Sequence, residues 1–247
     1  MIESFKKKAV GVLSTSDSPI LPFILEEMIR KDFLNIKVFL DKKGFGEENK
    51  NIFDQRTAKF FSKKGFTLED IDSRKITYYF VNSHNDESCL NIIKSLDISV
   101  LINAGTPRKL EGKIINSTPF GAVNIHPGIL PQYRGSCCVE WSIFNNDQIG
   151  NTAHFMDLEY DQGQTIFIEE YNFPSNVTYE GIRTHMYKEF IRLIPKALGI
   201  VLEGEENSSL RTDQNEGGKL YKPIGKEEMR IVLEKIKAGD HRNIKSS

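Results

Sequence analysis

The chain has 247 residues, 39% of them hydrophobic, a formal net charge of −1 and three cysteines. That length holds one large α/β domain, or a domain with a small appendage, and the near-neutral charge argues against a nucleic-acid partner gripped through its phosphates. The apolar run at 9–13 is too short for a signal segment or a membrane span, so a cytoplasmic protein without a membrane partner is expected.

Residues 8–13 read as a first buried strand. A turn-rich Ser14-Thr15-Ser16-Asp17-Ser18 follows, and Pro19 suits the first turn of a helix reaching about Lys31, whose apolar face is Leu21, Ile24, Leu25 and Met28. Residues 36–40 predict a second strand. The charged stretch 41–51, with Gly44 and Gly46, predicts an exposed loop ahead of a helix at 52–64, and 76–81 predict a third strand. Residues 86–96 follow helical spacing through Leu90, Ile93 and Leu96, and 98–102 form a continuous apolar run of the kind buried on both faces. Asn103-Ala104-Gly105-Thr106-Pro107 interrupts the pattern, and a short helix is expected up to Ile115. This alternation predicts an α/β fold, a Rossmann-like, mostly parallel twisted sheet with helices on both faces.

Ala122-Val123 opens a further strand that delivers Asn124 and His126, two apart and therefore on one face, into a Pro- and Gly-punctuated segment. That segment, to Gly135, reads as a loop that neither helix nor strand absorbs. Carboxyl ends of strands are where open α/β sheets bind ligands. A helix at 140–144 and strands at 151–156 and 165–171 come next. Thr178 reads as the N-cap of a helix to about Glu203 that Pro195 kinks or divides. Residues 204–218 read as a linker, Leu220-Tyr221 as a short strand and 227–237 as a basic amphipathic helix. The organisation expected is a catalytic domain over 1–203, then a linker and short appendage over 204–247.

A carboxamide and an imidazole presented together can both donate hydrogen bonds to a developing oxyanion. A nearby carboxylate would hold the imidazole in one tautomer and favour its charged form. Asp161, between two expected strands and close to Gly163, is the candidate. His154 reads as a structural strand histidine that could also line the site. Cys89, Cys137 and Cys138 read as reduced thiols, since adjacent cysteines lack zinc-site spacing and nothing marks Cys137 or Cys138 as an activated nucleophile.

Asn124-Ile-His126-Pro-Gly-Ile-Leu-Pro131-Gln-Tyr-Arg134-Gly135, followed by His154-Phe-Met-Asp157 and Asp161-Gln-Gly163, resembles the folate-dependent formyltransferase family, which includes glycinamide ribonucleotide, methionyl-tRNA and nucleotide-sugar formyltransferases. The resemblance runs from about Ile98 to Ile168. It implies a catalytic trio at Asn124, His126 and Asp161, with 10-formyltetrahydrofolate giving its formyl group to a primary amine and no metal required. It also implies folate contacts in two loops, at Asn103, Ala104, Gly105, Arg108 and Leu110, and at Asp157 and Tyr160. Tyr133 and Arg134 would fix the loop.

The departures bear on the acceptor. Asp17 stands where the glycinamide ribonucleotide enzymes carry a glycine- and serine-rich phosphate loop, and a carboxylate there would oppose a phosphate. The tail after Gly204 is shorter than the tRNA-binding domain of the methionyl-tRNA enzymes. By elimination a nucleotide-linked amino sugar is the expected small-molecule amine, and a homodimer is expected from the sugar branch. Three alternatives stay open: a glycinamide ribonucleotide or methionyl-tRNA type transferase, a 10-formyltetrahydrofolate hydrolase, and a non-catalytic folate- or nucleotide-binding protein. A dinucleotide dehydrogenase is not expected, because no G-x-G-x-x-G follows the first strand.

Overall fold

A computed structural model describes residues 4–62, 76–204 and 217–245. In chain order these form β1 (Val10–Ser14), α1 (Leu21–Arg30), β2 (Ile36–Asp41), α2 (Glu47–Arg56), β3 (Ile76–Val81), α3 (Glu87–Ser95), β4 (Val100–Asn103), α4 (Gly112–Ile115), β5 (Ala122–His126) and β6 (Tyr133–Gly135). Then follow α5 (Cys138–Asn145), β7 (Gly150–Phe155), β8 (Thr165–Glu170), β9 (Phe173–Pro174), α6 (Tyr179–Glu203), β10 (Lys219–Tyr221), α7 (Lys226–Ala238) and β11 (Ile244–Lys245). Seven strands make one sheet in the order β3-β2-β1-β4-β5-β7-β8. The first five pair in parallel, and β5–β7 and β7–β8 are antiparallel. The α/β fold expected from the strand-helix alternation is therefore the one formed.

Period-two alternation sorts the apolar residues onto two faces. Val10 and Val12 of β1, Ile36, Val38 and Leu40 of β2, and Val100 and Ile102 of β4 face one core shared with α1 and α6. Leu13, Phe39 and Leu101 face a second core under α3 and α4. On α1, Leu21, Ile24, Leu25 and Met28 are fully buried, each contributing about 2 kcal/mol by transfer. A third core joins α5, the start of α6, α7, β9 and β11.

Several elements differ from the sequence expectation. Pro22, not Pro19, occupies the first turn of α1, which starts at Leu21. Of residues 41–51 only 42–46 form a connection: Asp41 ends β2 and is 1% exposed, and α2 already starts at Glu47. The first turn of α2 carries Glu47 and Glu48, and the Asp17 carboxylate accepts the N–H groups of Phe45 and Gly46 just ahead of it. Acidic groups there complement the helix dipole and set an earlier start. Positive φ at Ala58 and Lys59 follows its end, and 63–64 of the expected helix lie outside the described residues. Helix α6 is capped by Thr178, whose side chain accepts from the Gly181 N–H at 3.0 Å, and runs through Pro195 undivided. Residues 205–216 of the expected linker also lie outside the described residues.

The segment after His126 is not all loop. Residues Tyr133–Gly135 pair in parallel with Lys219–Tyr221, so the far end of the chain braces it. Gly135 has φ +91, and a Cβ there would lie 2.4 Å from the Tyr221 carbonyl oxygen, so only glycine fits this crossing. The Tyr133 and Tyr221 rings stack at 5.1 Å, and Trp141 Nε1 donates to the Lys222 carbonyl.

Candidate active site

The sheet changes from parallel to antiparallel at β5, and the site is built there. Asn124 lies opposite His154 of β7, and His126 lies opposite Thr152. Asn103 ends β4, on the other side of β5, and its Nδ2 donates to Asn124 Oδ1 at 3.1 Å. Asp161 comes from the connection between β7 and β8, where it holds a left-handed φ of 56°. Its Oδ2 accepts the Gly135 N–H at 2.8 Å and lies 3.4 Å from His126 Nδ1; its Oδ1 lies 3.7 Å from His154 Nε2. Gly163 makes this turn possible, because a Cβ on it would sit 1.8 Å from the Phe155 carbonyl oxygen.

Asn124, His126 and Asp161 are thus brought together, but not equivalently. Asn124 and Asp161 line a cleft of about 330 Å³, within the size range of small-molecule sites. His126 lies behind them, 3% exposed, with Nε2 placed 2.8 Å from the Tyr133 carbonyl, to which it donates. With that nitrogen occupied, a proton on Nδ1 would lie between the ring and the Asp161 carboxylate. His154, read as a structural histidine that could also line the site, lines the cleft; that it is wired to Asn124 was not legible, because the antiparallel register that sets the two opposite is the missing signal. Burial, partly offset by the Asp161 charge, pushes the His154 ring down to about 4, so it is neutral at ordinary pH.

Of the residues expected to meet the folate, Asn103, Arg108, Leu110, Asp157 and Tyr160 line the cleft. Ala104 is fully buried, its N–H on the Leu13 carbonyl and its own carbonyl accepting from Ser14 Oγ, and Gly105 takes the positive φ that turns the chain out of β4. Arg108 forks onto Asp41, Nε to Oδ2 at 2.7 Å and Nη2 to Oδ1 at 3.0 Å, and Nη2 also donates to the Asn82 carbonyl at 3.2 Å, so its Nε and Nη2 donors serve the protein. Burial alone would push the Asp41 carboxyl up, but the Arg108 fork and the N–H groups of Lys43 and His84 outweigh it and hold it below the usual carboxylate range. Leu110, Ile115 and Met156 supply an apolar surface between the two loops.

Beyond the cleft, Cys138 is buried and its thiol is pushed up by that burial, against a nucleophilic role. Cys137 is half-buried with Arg56 Nη2 3.5 Å from its sulfur. Arg134 reaches the Gly218 carbonyl at 3.5 Å, which fits a loop-fixing role. Among the described residues no group of three or more His, Cys, Asp or Glu side chains is placed to hold a metal ion, and no helix is long and apolar enough to cross a membrane.

A family model described as formyl transferase matches residues 10–198. The chain belongs to the formyl transferase family. A methionyl-tRNA formyltransferase of Clostridioides difficile (strain 630) is 29% identical over 140 residues, 56% of this chain and 44% of that protein. The chain spans about half the length of the curated relatives it matches. Two solved structures share the fold. Glycinamide ribonucleotide transformylase 1 from Symbiobacterium toebii has a TM-score of 0.58 at 19% identity, over 85% of this chain and 94% of that one. The formyltransferase PseJ from Anoxybacillus kamchatkensis, in complex with UDP-4,6-dideoxy-4-formamido-L-AltNAc and tetrahydrofolate, has a TM-score of 0.56 at 16% identity, over 93% of this chain and all of that one.

Proposed function

We propose that this formyl transferase moves a formyl group from 10-formyltetrahydrofolate to the primary amine of a nucleotide-linked amino sugar. The observation that carries the reading is the placement of Asn124 and Asp161 on the cleft wall, with His126 3.4 Å behind the carboxylate. The amine nitrogen attacks the formyl carbon and negative charge gathers on the formyl oxygen, where the Asn124 N–H donates. The ammonium proton passes to the Asp161–His126 pair, of which Asp161 is the member facing the cleft. Collapse breaks the bond between the formyl carbon and N10, N10 takes a proton back, and tetrahydrofolate and the formamide leave.

Two observations support the sugar over glycinamide ribonucleotide. The Asp17 carboxylate occupies the amides ahead of α2, so the loop after β1 ends in an anion rather than receiving one. A solved structure that shares the fold over 93% of this chain holds a UDP-linked formamido sugar together with tetrahydrofolate. The test is tetrahydrofolate formation from 10-formyltetrahydrofolate with UDP- and dTDP-linked amino sugars, glycinamide ribonucleotide and initiator methionyl-tRNA in parallel. Turnover with an amino sugar and loss of it in His126→Ala and Asp161→Asn is the expected result. Equal formate release with no amine present would make the protein a hydrolase instead.

A further inference from the structure

We infer that Asn103 and His154 are positioning residues that fix which end of the Asn124 carboxamide faces the reacting centre, an inference that rests on the reading of the site given above. Two groups of fixed polarity start the chain of assignments. The backbone N–H groups of Gly105 and Thr106 can only donate, and both meet Asn103 Oδ1, at 3.1 and 3.0 Å. The Asn103 amide therefore turns its nitrogen toward Asn124, whose nearest atom must be an acceptor, and Oδ1 lies there at 3.1 Å. An amide carries one oxygen and one nitrogen, so Asn124 sends Nδ2 the other way, to within 3.1 Å of His154 Nε2. That ring nitrogen must then accept. His154 accordingly carries its proton on Nδ1, 2.7 Å from the Phe155 carbonyl, which can only accept.

The relay crosses three neighbouring strands, β4, β5 and β7, and each member has one consistent orientation. Its product is a single Asn124 N–H left over for the cleft, the other being held by His154. The competing state is visible in the geometry. Asp161 Oδ1, 3.7 Å from His154 Nε2, would attract a proton to that nitrogen. An Nε2–H would collide with the Asn124 N–H and turn the amide round, setting its oxygen against the developing oxyanion. Burial of His154, 2% exposed, and the short Nδ1 contact oppose that state.

The imidazole nitrogen shifts of ¹⁵N-histidine-labelled protein report the tautomer directly, with His154→Gln used to assign the signal. Wild type should show His154 with Nδ1 protonated and Nε2 bare; Asn103→Asp, which offers Asn124 only acceptors, should move the proton to Nε2. In the formyl-transfer assay Asn103→Asp and His154→Asn should each lose about 10²-fold in kcat, the cost of one oxyanion donor, with the donor KM within about threefold. His154→Asn keeps the bond to Phe155 but offers Asn124 no acceptor, whereas the His154→Gln oxygen falls near the Nε2 position and should retain most of kcat. A protonated Nε2 in the wild type, or equal kcat in the Gln and Asn variants, overturns the relay. A wild type inactive toward every amine overturns the reading of the site and leaves the tautomer to decide the relay.

Discussion

The two loops that face each other across the cleft are held in opposite ways. The one after β4 is tied down in its middle, where Arg108 forks onto a carboxylate that is itself fully buried. The one between β7 and β8 is tied at its two ends, by the Met156 N–H on the Ala122 carbonyl at one and by Asp161 on the Gly135 N–H and the close passage of Gly163 against Phe155 at the other, while Leu158 and Tyr160 between them stand 54% and 53% exposed. Lys109 links them at the mouth, its Nζ 4.9 Å from the Tyr160 ring centre and 3.8 Å from Glu159. One wall is pinned through its middle and the other at its ends, and the proposed chemistry hangs on the Asp161 end of the second, anchored on Gly135.

The largest effect should come from removing that anchored end's chemistry. Asp161→Asn is expected to cut kcat by about 10²- to 10³-fold with the thermal midpoint little changed; a variant with wild-type turnover would detach this loop from catalysis. Gly163→Ala attacks the anchor itself, and with a Cβ 1.8 Å from a carbonyl oxygen it should cost about 3 kcal/mol in denaturant melts.

Arg108→Gln tests the fixed wall through pH. With its carboxyl held low, Asp41 stabilises the fold fully above the ordinary carboxylate range and loses that contribution as pH falls through its depressed value. Without the guanidinium, burial is left to push the carboxyl up, so acid unfolding in a urea series should begin at higher pH than in wild type. An unchanged acid limb would mean that the backbone N–H groups alone hold Asp41. Tyr160→Ala should be the mildest change. Stability should stay within about 0.5 kcal/mol of wild type while the donor KM rises severalfold; a large loss of stability would show that the outer loop is as firmly held as the inner one.

The frame of this fold was legible because it is written locally. Continuous apolar runs marked β4 and the inner strands, Thr178 marked the start of α6, and the Asn124–His126 spacing marked one face of β5. What escaped depends on partners distant in the chain. Asp41 reads as the start of a charged loop until Arg108, 67 residues on, neutralises it. His154 reads as an ordinary strand residue until the antiparallel register sets it opposite Asn124. Pro195 reads as a break, yet Leu193, Ile194, Ala197 and Leu198 around it are all fully buried, and packing on both sides holds the helix together. Asn103 reads as a folate contact from the resemblance alone; that its side chain also ties two backbone N–H groups to Asn124 depends on β5, 21 residues on.

The brace on the loop after β5 bears on when the site can assemble. Arg134 and Gly218, in contact across it, are 84 residues apart in sequence, so a ribosome has finished the whole seven-stranded sheet before it makes the strand that steadies Gly135, whose N–H holds Asp161. Contacts of such separation form slowly. In refolding, helical signal should therefore return before turnover does, with catalytic competence arriving as the last event rather than with the sheet that frames it.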